Sequence, residues 1–251
     1  LKHYPDNSFI KGVVRMFYIN LLLIQLSVFA FFFLVERRSP HLVHPIQTGF
    51  TSAWGFVCIS AAIWAQVLFF IWFNLNGIGQ PLPADYLTEG ALFYLIYSFT
   101  NYWAHRVKHA WYPAWQYLHK MHHSPSHMDS RIAFYRHPLE MIANTLVLLF
   151  IGKLIFDVSA QAVAMALVIE GCLEVFHHSN IRLQKRLKIL GYIIQTPEQH
   201  LLHHEKGRHK SNYSPLTLWD TLFNTVAFPS TKHVSVGFKD RGQAWPYLRV
   251  K

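Results

Sequence analysis

Three apolar segments precede a polar, histidine-rich region. Residues 16–35 run for 20 positions and residues 49–73 for 25 positions without a charged side chain, and a third segment, residues 90–104, leads into His105. A helix rises about 1.5 Å per residue, so either of the first two crosses a hydrocarbon layer about 30 Å thick. We therefore predict an all-α membrane bundle whose third helix emerges at His105.

Two shorter apolar stretches follow within the second half of the chain. Residues 141–152 and 158–169 are 12 residues each, and Lys153 and Asp157 separate them. Segments of that length more often re-enter or pack internally than span a bilayer alone. The pattern predicts an inserted apolar helical hairpin over residues 139–176.

Composition supports the membrane assignment and limits the chemistry. The chain is 52% hydrophobic and 16% aromatic, and its formal net charge is +10. The basic residues flank apolar segments, which indicates contact with anionic head groups and not with nucleic acid. Only two cysteines are present, Cys58 and Cys172, both within apolar runs, so neither a disulfide framework nor a cysteine-based zinc site is expected.

Loop charges predict the orientation in the membrane. Arg37 and Arg38 follow the first apolar segment, whereas residues 74–88 contain no basic residue. If the first three segments all cross, the arginines lie on the same side as the histidine-rich region. The positive-inside rule then places that region, as a helical cap on the bundle, in the cytoplasm.

Histidine is concentrated in one region, where 13 of the 17 histidines lie between His105 and His209. They include one His-x3-His motif and two His-x2-His-His motifs, whose members are His105, His109, His119, His122, His123, His200, His203 and His204. At these spacings each motif presents its imidazoles on one helix face. One metal ion takes about four to six ligands. Eight imidazoles therefore predict a site for two metals.

Local signals place the second and third motifs on helices. Pro113 is expected to open the helix of the second motif, and Pro125 to end it. Thr196 and Gln199 have the spacing of a capping box with Pro197 between them, so the third motif is predicted on the first turns of a helix.

The return limb of the predicted hairpin carries Glu170, Glu174 and His178 at i, i+4 and i+8, with His177 beside them. A carboxylate in an apolar membrane helix is costly unless it is paired, which makes Glu170 and Glu174 functional candidates. Glu174 and His177 also have the Glu-x-x-His spacing of soluble di-iron bundles. Pairing of Glu174 with a nearby arginine or lysine is the alternative interpretation.

The ligand set restricts the reaction. Calcium and magnesium prefer oxygen ligands. The His-Glu-x-x-His protease motif and the Gly-x-Ser-x-Gly elbow of hydrolases do not occur. What remains is a pair of irons that takes O2 and two electrons to break an unactivated C–H bond in a lipid. A histidine-rich metal-binding or metal-transport protein is the alternative. It is disfavoured because the motifs lie at helix ends amid basic residues such as Arg106 and Lys108, which could also bind a head group or an acidic electron donor.

The order of the three motifs after hydrophobic helices resembles the membrane fatty acid hydroxylase/sterol desaturase superfamily, and bacterial members in particular. The further matches, within roughly residues 90–225, are Arg136-His137-Pro138-Leu139-Glu140, His178-Ser179-Asn180, Thr196-Pro197, Asn212-Tyr213, Trp219-Asp220 and Leu222-Phe223. At two positions where relatives usually have glycine, this chain has Ser214 and Asn224.

The resemblance implies a non-haem di-iron oxygenase in which His137 and His178 join the eight motif histidines as ligands. His177 and Glu174 are candidates for further ligands or for neighbours of the ligands. Zinc is expected to replace iron in some purified samples. The resemblance also implies a lipid substrate such as a sterol, fatty acyl lipid, sphingolipid or carotenoid. No fused cytochrome b5 domain has a counterpart here, so a separate donor of cytochrome b5, ferredoxin or rubredoxin type, with its reductase, is expected.

We expect one domain over residues 1–251. Residues 1–104 would be mainly transmembrane, residues 105–225 would form the catalytic region with the hairpin inserted, and residues 226–251 would form a tail. A bacterial inner membrane is the expected location.

Overall fold

The computed structural model describes residues 7–42, 85–229, 234–238 and 245–248, with five isolated positions between 53 and 64. Its α-helices are α1 (Asn7–Arg38), α2 (Tyr86–Ala110), α3 (Tyr112–Ala114), α4 (Pro138–Leu149), α5 (Ala160–His178), α6 (Pro197–His203), α7 (Thr217–Leu222) and α8 (Trp245–Leu248). The described ranges also contain two π-helices (Trp115–His119 and Phe150–Ile155) and two 3-10 helices (Ser130–Phe134 and Lys185–Tyr192). In these ranges extended pairing is limited to two isolated bridges, so the all-α prediction is confirmed.

Three helices in the described ranges are long and apolar enough to cross a membrane: Gly12–Arg38, Pro138–Ile155 and Ala160–His178. The first contains the predicted segment 16–35. The second predicted span, residues 49–73, lies outside the described residues apart from the isolated positions. The chain therefore has the helices of an integral membrane protein.

The hairpin is present, but its limbs are longer than expected. The first limb continues from α4 through the π-helix to Ile155, giving 18 residues, and α5 has 19, so both have the length of a span. The sequence pattern gave 12 residues each because Lys153 and Asp157 interrupt the apolar runs, although Lys153 lies within the π-helix. α2 is not among the three candidate spans, since it carries polar side chains such as Asn101.

The interior of the bundle is built around α5. Ala162, Ala164 and Ala166 on this helix are fully buried. Small side chains let neighbouring helices approach closely. On one side α5 packs with Phe93 and Tyr97 of α2, and on another with Val14 and Tyr18 of α1. α5 is thus enclosed by its neighbours. In α1, by contrast, only 11% of the most apolar 18 residues are buried.

The helix predicted for the second histidine motif ends early. Pro113 does lie in the first turn of α3, which continues into the π-helix that ends at His119. His122 and His123 lie in the following turn, where the His122 N–H donates to the His119 carbonyl at 3.0 Å. The expected end at Pro125 was therefore wrong, because the wide turn from Trp115 to Lys120 closes the helix first.

The ends of three helices meet at the histidine-rich region. The carboxylate of Glu36, near the end of α1, accepts hydrogen bonds from Ser130 and from the backbone N–H of Asn180. Asn180 follows α5, and His105 and His109 lie in the last turns of α2. The bundle therefore brings helix ends from distant parts of the chain to one place.

Gly152 offers a test of the bundle packing. A Cβ atom added there would lie 2.9 Å from Cζ of Phe93 and 3.1 Å from Cγ2 of Val163. Overpacking a close-packed core costs about 1–3 kcal/mol, so Gly152→Ala should lower the thermal unfolding midpoint in detergent. Gly12 has no atom within 4 Å of an added Cβ. Gly12→Ala, the control, should leave the midpoint unchanged or raise it, and equal midpoints for the two variants would contradict the packing.

Candidate metal centre

Nine of the ten histidines predicted as ligands fall into two compact groups. The first group consists of His105, His109, His119, His123 and His203, and the second of His122, His178, His200 and His204. Within each group one ring nitrogen per residue lies within 4.8 Å of all the others. Seven of the nine side chains are buried and two are half-buried. The structure thus brings together residues up to 98 positions apart, from His105 to His203.

The spacing of the ring nitrogens suits one ion in each group. In the first group, Nε2 of His105 lies 2.9 Å from Nε2 of His119 and 3.2 Å from that of His109. In the second, Nε2 of His178 lies 3.1 Å from that of His122 and 2.9 Å from that of His200. Imidazole nitrogens bind zinc at about 2.0–2.1 Å, so neighbouring ligands at right angles lie about 3 Å apart.

Hydrogen bonds fix which nitrogen carries the proton in six of the nine rings. In six of the nine histidines, Nδ1 lies against an oxygen that can only accept: the pairs are His105 with Tyr213 O, His119 with Glu140 Oε1, His122 with Tyr135 O, His178 with Glu174 O, His200 with Gln195 Oε1 and His203 with Ser211 O. Nδ1 must therefore donate, which leaves a lone pair on Nε2.

The inward lone pairs carry the case for a metal. His105 and His119 both use their proton on Nδ1, yet their Nε2 atoms approach to 2.9 Å. Neither Nε2 can donate to the other, so a cation between them is what makes such an approach favourable. The residues present fit a pair of metal ions.

Burial also keeps the imidazoles neutral. Removal from water lowers the pKa of His203 to about 3 and holds the pKa of His122 and His204 well below the usual value. A metal binds neutral imidazole. At neutral pH these rings are in the form that a metal requires.

Each His-x2-His-His motif divides its histidines between the two groups, a division that the spacing alone did not assign. In α6 and at the residue that caps its end, His200 and His204 belong to the second group and His203 to the first. Successive helix residues are about 100° apart, so positions i and i+4 differ by about 40° and positions i+3 and i+4 by about 100°. The pair i, i+4 therefore converges on one centre while i+3 points to the other. The capping box of Thr196 and Gln199 is confirmed, and it fixes the start of this helix.

The remaining predicted residues lie around the groups. His137 belongs to neither, and its Nδ1 accepts the Leu139 N–H at 3.1 Å, capping α4. Glu174, His177 and His178 form a third cluster that shares His178 with the second group. Glu174 is paired with Arg136, as the alternative interpretation required. His177 is 2% exposed, and its ring centroid lies 4.0 Å from that of His200.

Two residues at the site were given no role from the sequence. Glu140 is fully buried, and its carboxylate bonds both His119 and Lys108. The criterion that selected Glu174, a carboxylate in an apolar helix, would have selected Glu140 too. The second residue is His209. Lys108, which was expected to be able to bind a head group or an electron donor, is buried and therefore not available to either. His209 packs against His123 at 4.6 Å between ring centroids, and its spacing from the third motif gave no signal.

The loop after α6 covers the first group and supplies hydrogen-bond acceptors. Asp220 accepts the N–H groups of Tyr213 and Ser214 at 2.9 Å each, which places the Tyr213 carbonyl 2.6 Å from Nδ1 of His105. Asn224 has φ of 54°, a conformation that glycine or asparagine adopts readily. Asparagine at position 224, where relatives usually have glycine, is therefore compatible with this backbone conformation. Ser214, at the other such position, is fully buried.

The lowered histidine pKa values predict a pH dependence for the metal-free protein. In the unfolded chain histidine titrates near pH 6.5, whereas the pKa of His203 in the fold is about 3. Between these values the unfolded state binds more protons, so stability is retained above about pH 6.5 and lost as the pH falls, by up to about 1.4 kcal/mol per unit for each such histidine. The thermal unfolding midpoint of metal-free protein should therefore be lower at about pH 5 than at about pH 7.5.

The matched control is metal-loaded protein at the same pH values. Bound ions occupy Nε2 and compete with protons, so its midpoint should decline less. A metal-free midpoint that is constant over this range would contradict the burial of neutral imidazoles.

The sequence model of the fatty acid hydroxylase family matches residues 90–225, more than half of the chain, and this stretch contains all nine histidines of the two groups. No curated protein and no solved structure matches the chain. The family match and the membrane helices together show that the chain belongs to the fatty acid hydroxylase family, within the membrane fatty acid hydroxylase/sterol desaturase superfamily.

Proposed function

We propose that the chain is a membrane-bound non-haem di-iron oxygenase that hydroxylates or desaturates a lipid. Family membership indicates a lipid-acting oxidoreductase. The observation that carries the proposal further is the pair of adjacent groups whose Nε2 lone pairs converge without protons between them. The metal pair would supply the capacity to use O2 and two electrons to break an unactivated C–H bond.

The first group would hold one ion through five imidazoles, and the second would hold the other through four. Imidazole suits both iron and zinc, so the ligands do not select between these metals by affinity alone. Iron is proposed because zinc has no redox chemistry. Zinc that enters during purification would occupy the same nitrogens.

The protein would orient the ligands and exclude water. Six of the nine histidines are held through Nδ1 by groups outside the two clusters, and this second contact fixes the direction in which each ring points. Trp115 lies with His209 over the first group, their ring centroids 5.2 Å apart. A closed, apolar surrounding protects a strong oxidant from side reactions.

The proposed substrate is a lipid that reaches the site from the bilayer, such as a sterol, fatty acyl lipid, sphingolipid or carotenoid. Hydroxylation and desaturation share the abstraction of hydrogen, and the same ligands serve both. We propose that electrons come from a separate cytochrome b5, ferredoxin or rubredoxin with its reductase.

The proposed location is a multi-pass arrangement in a bacterial inner membrane, with the site on the cytoplasmic face. Support comes from the end of α1, where Glu36 bonds the segments that carry Ser130 and Asn180. Arg37 and Arg38 are therefore on the same side of the bundle as the metal centre. Basic residues favour the cytoplasmic side.

Lipid analysis of cells that express the protein tests the proposal. Wild-type cells should show one lipid class with a mass change of about +16 for hydroxylation or about −2 for desaturation, the change that follows from the proposed chemistry. His122→Ala removes a ligand of the second group and should abolish the new lipid. His41→Ala is the matched control, because this histidine lies outside both groups and should leave the product unchanged.

Unchanged lipids in wild-type cells, with an electron-transfer system present, would contradict the oxygenase. If those cells instead accumulated metal in a way that His122→Ala removed, the transport alternative would be favoured.

A further inference from the structure

A set of buried charges connects the two histidine groups from behind. Glu140 is fully buried, and its Oε1 accepts from Nζ of Lys108 at 3.0 Å and from Nδ1 of His119 at 2.8 Å. Lys108 also donates to Asn144 at 2.8 Å. One carboxylate oxygen thus serves both a cation and a candidate metal ligand.

The charges continue towards the second group. Arg136 lies 3.8 Å from Glu140 and forms an ion pair with Glu174. An oxygen of Glu174 lies 3.5 Å from Nε2 of His177 and 3.5 Å from Nδ1 of His178. Two cations and two anions alternate along this path. Such alternation reduces the cost of burying them, since each charge has an opposite neighbour.

His119 is unlike the other members of its group. Within the part of the chain that the structure describes, it is the member of the first group whose Nδ1 bonds a carboxylate. His105 and His203 use neutral backbone carbonyls, at 2.6 and 2.7 Å. A carboxylate on the outer nitrogen fixes ring orientation and raises the basicity of the metal-binding nitrogen.

We propose that Glu140 is a positioning residue for the first ion. Its carboxylate accepts the hydrogen bond of His119 Nδ1, and this contact sets how tightly the five-imidazole group holds metal. The inference rests on the proposed dimetal function. In the described residues Glu140 forms its hydrogen bonds and ion pairs with Lys108, His119 and Arg136 and with no histidine of the second group, so the effect should be confined to one ion.

A simpler role for Glu140 is to neutralise Lys108. The two roles differ in what happens when both charges are removed. If Glu140 serves only Lys108, the double variant Lys108→Met/Glu140→Gln should bind metal like the wild type. If Glu140 acts through His119, the double variant should still be impaired, and it also avoids leaving a buried lysine unpaired.

The experiment is a titration of metal-free, detergent-solubilised protein with Co²⁺ against a competing chelator, followed by visible absorption. The two groups offer five and four imidazoles, so we expect different coordination numbers and separable Co²⁺ spectra. Outer contacts of metal ligands are worth about 10–100-fold in affinity. Glu140→Gln should weaken one of two Co²⁺ sites by about that factor. Glu140→Asp, which keeps the charge, should weaken it less.

Glu36→Gln is the matched control. Glu36 is another buried carboxylate, 4% exposed, but among the described residues it accepts from Ser130 and Asn180 and not from a histidine. It should leave both Co²⁺ affinities unchanged. Wild-type affinities in Glu140→Gln, or in the double variant, would overturn the inference. Equal weakening of both sites would overturn it too, whereas a wild type that binds fewer than two ions would reject the proposed function itself.

Discussion

The main constraint on this structure is the close approach of imidazole lone pairs, which a cation must balance. Nε2 atoms of neighbouring histidines lie 2.9–3.2 Å apart in both groups, and six of the nine rings have their proton committed to an acceptor on the other side. Lone pairs at that distance repel unless a cation lies between them. The fold therefore holds an arrangement that a bound metal ion would make favourable, and metal binding and stability should then be linked.

The membrane helices hold the histidines in that arrangement because their packing fixes the helix ends on which the histidines lie. Alanines along α5 let α1 and α2 pack closely against it, and the last turns of α2 and α5 carry His105, His109 and His178. The hydrogen-bond acceptors for Nδ1 come from other segments, such as the loop with Ser211 and Tyr213. The helices thus position the rings, and the segments that accept from Nδ1 orient them. Neither part of the chain forms the site alone.

Much of this was predictable from the sequence, and the failures have physical reasons. The histidine set and the start of α6 at Thr196 follow from local patterns of spacing and capping. The division of His203 from His200 and His204 was not predicted, because a helical face is about 100° wide and two centres can lie within it. Hydrogen bonds between distant segments, such as that from His119 to Glu140, leave no trace in spacing. His137 resembled a ligand by motif, yet locally it caps a helix.

The most direct test of the account is X-ray absorption at the metal edge of iron-loaded protein whose metal content is known. Two groups of imidazoles predict two ions per chain. They also predict a first shell dominated by nitrogen at roughly 2.0–2.2 Å, with the outer scattering of imidazole rings. A single ion per chain, a shell dominated by sulfur, or a spectrum without the outer scattering of imidazole rings would contradict the account.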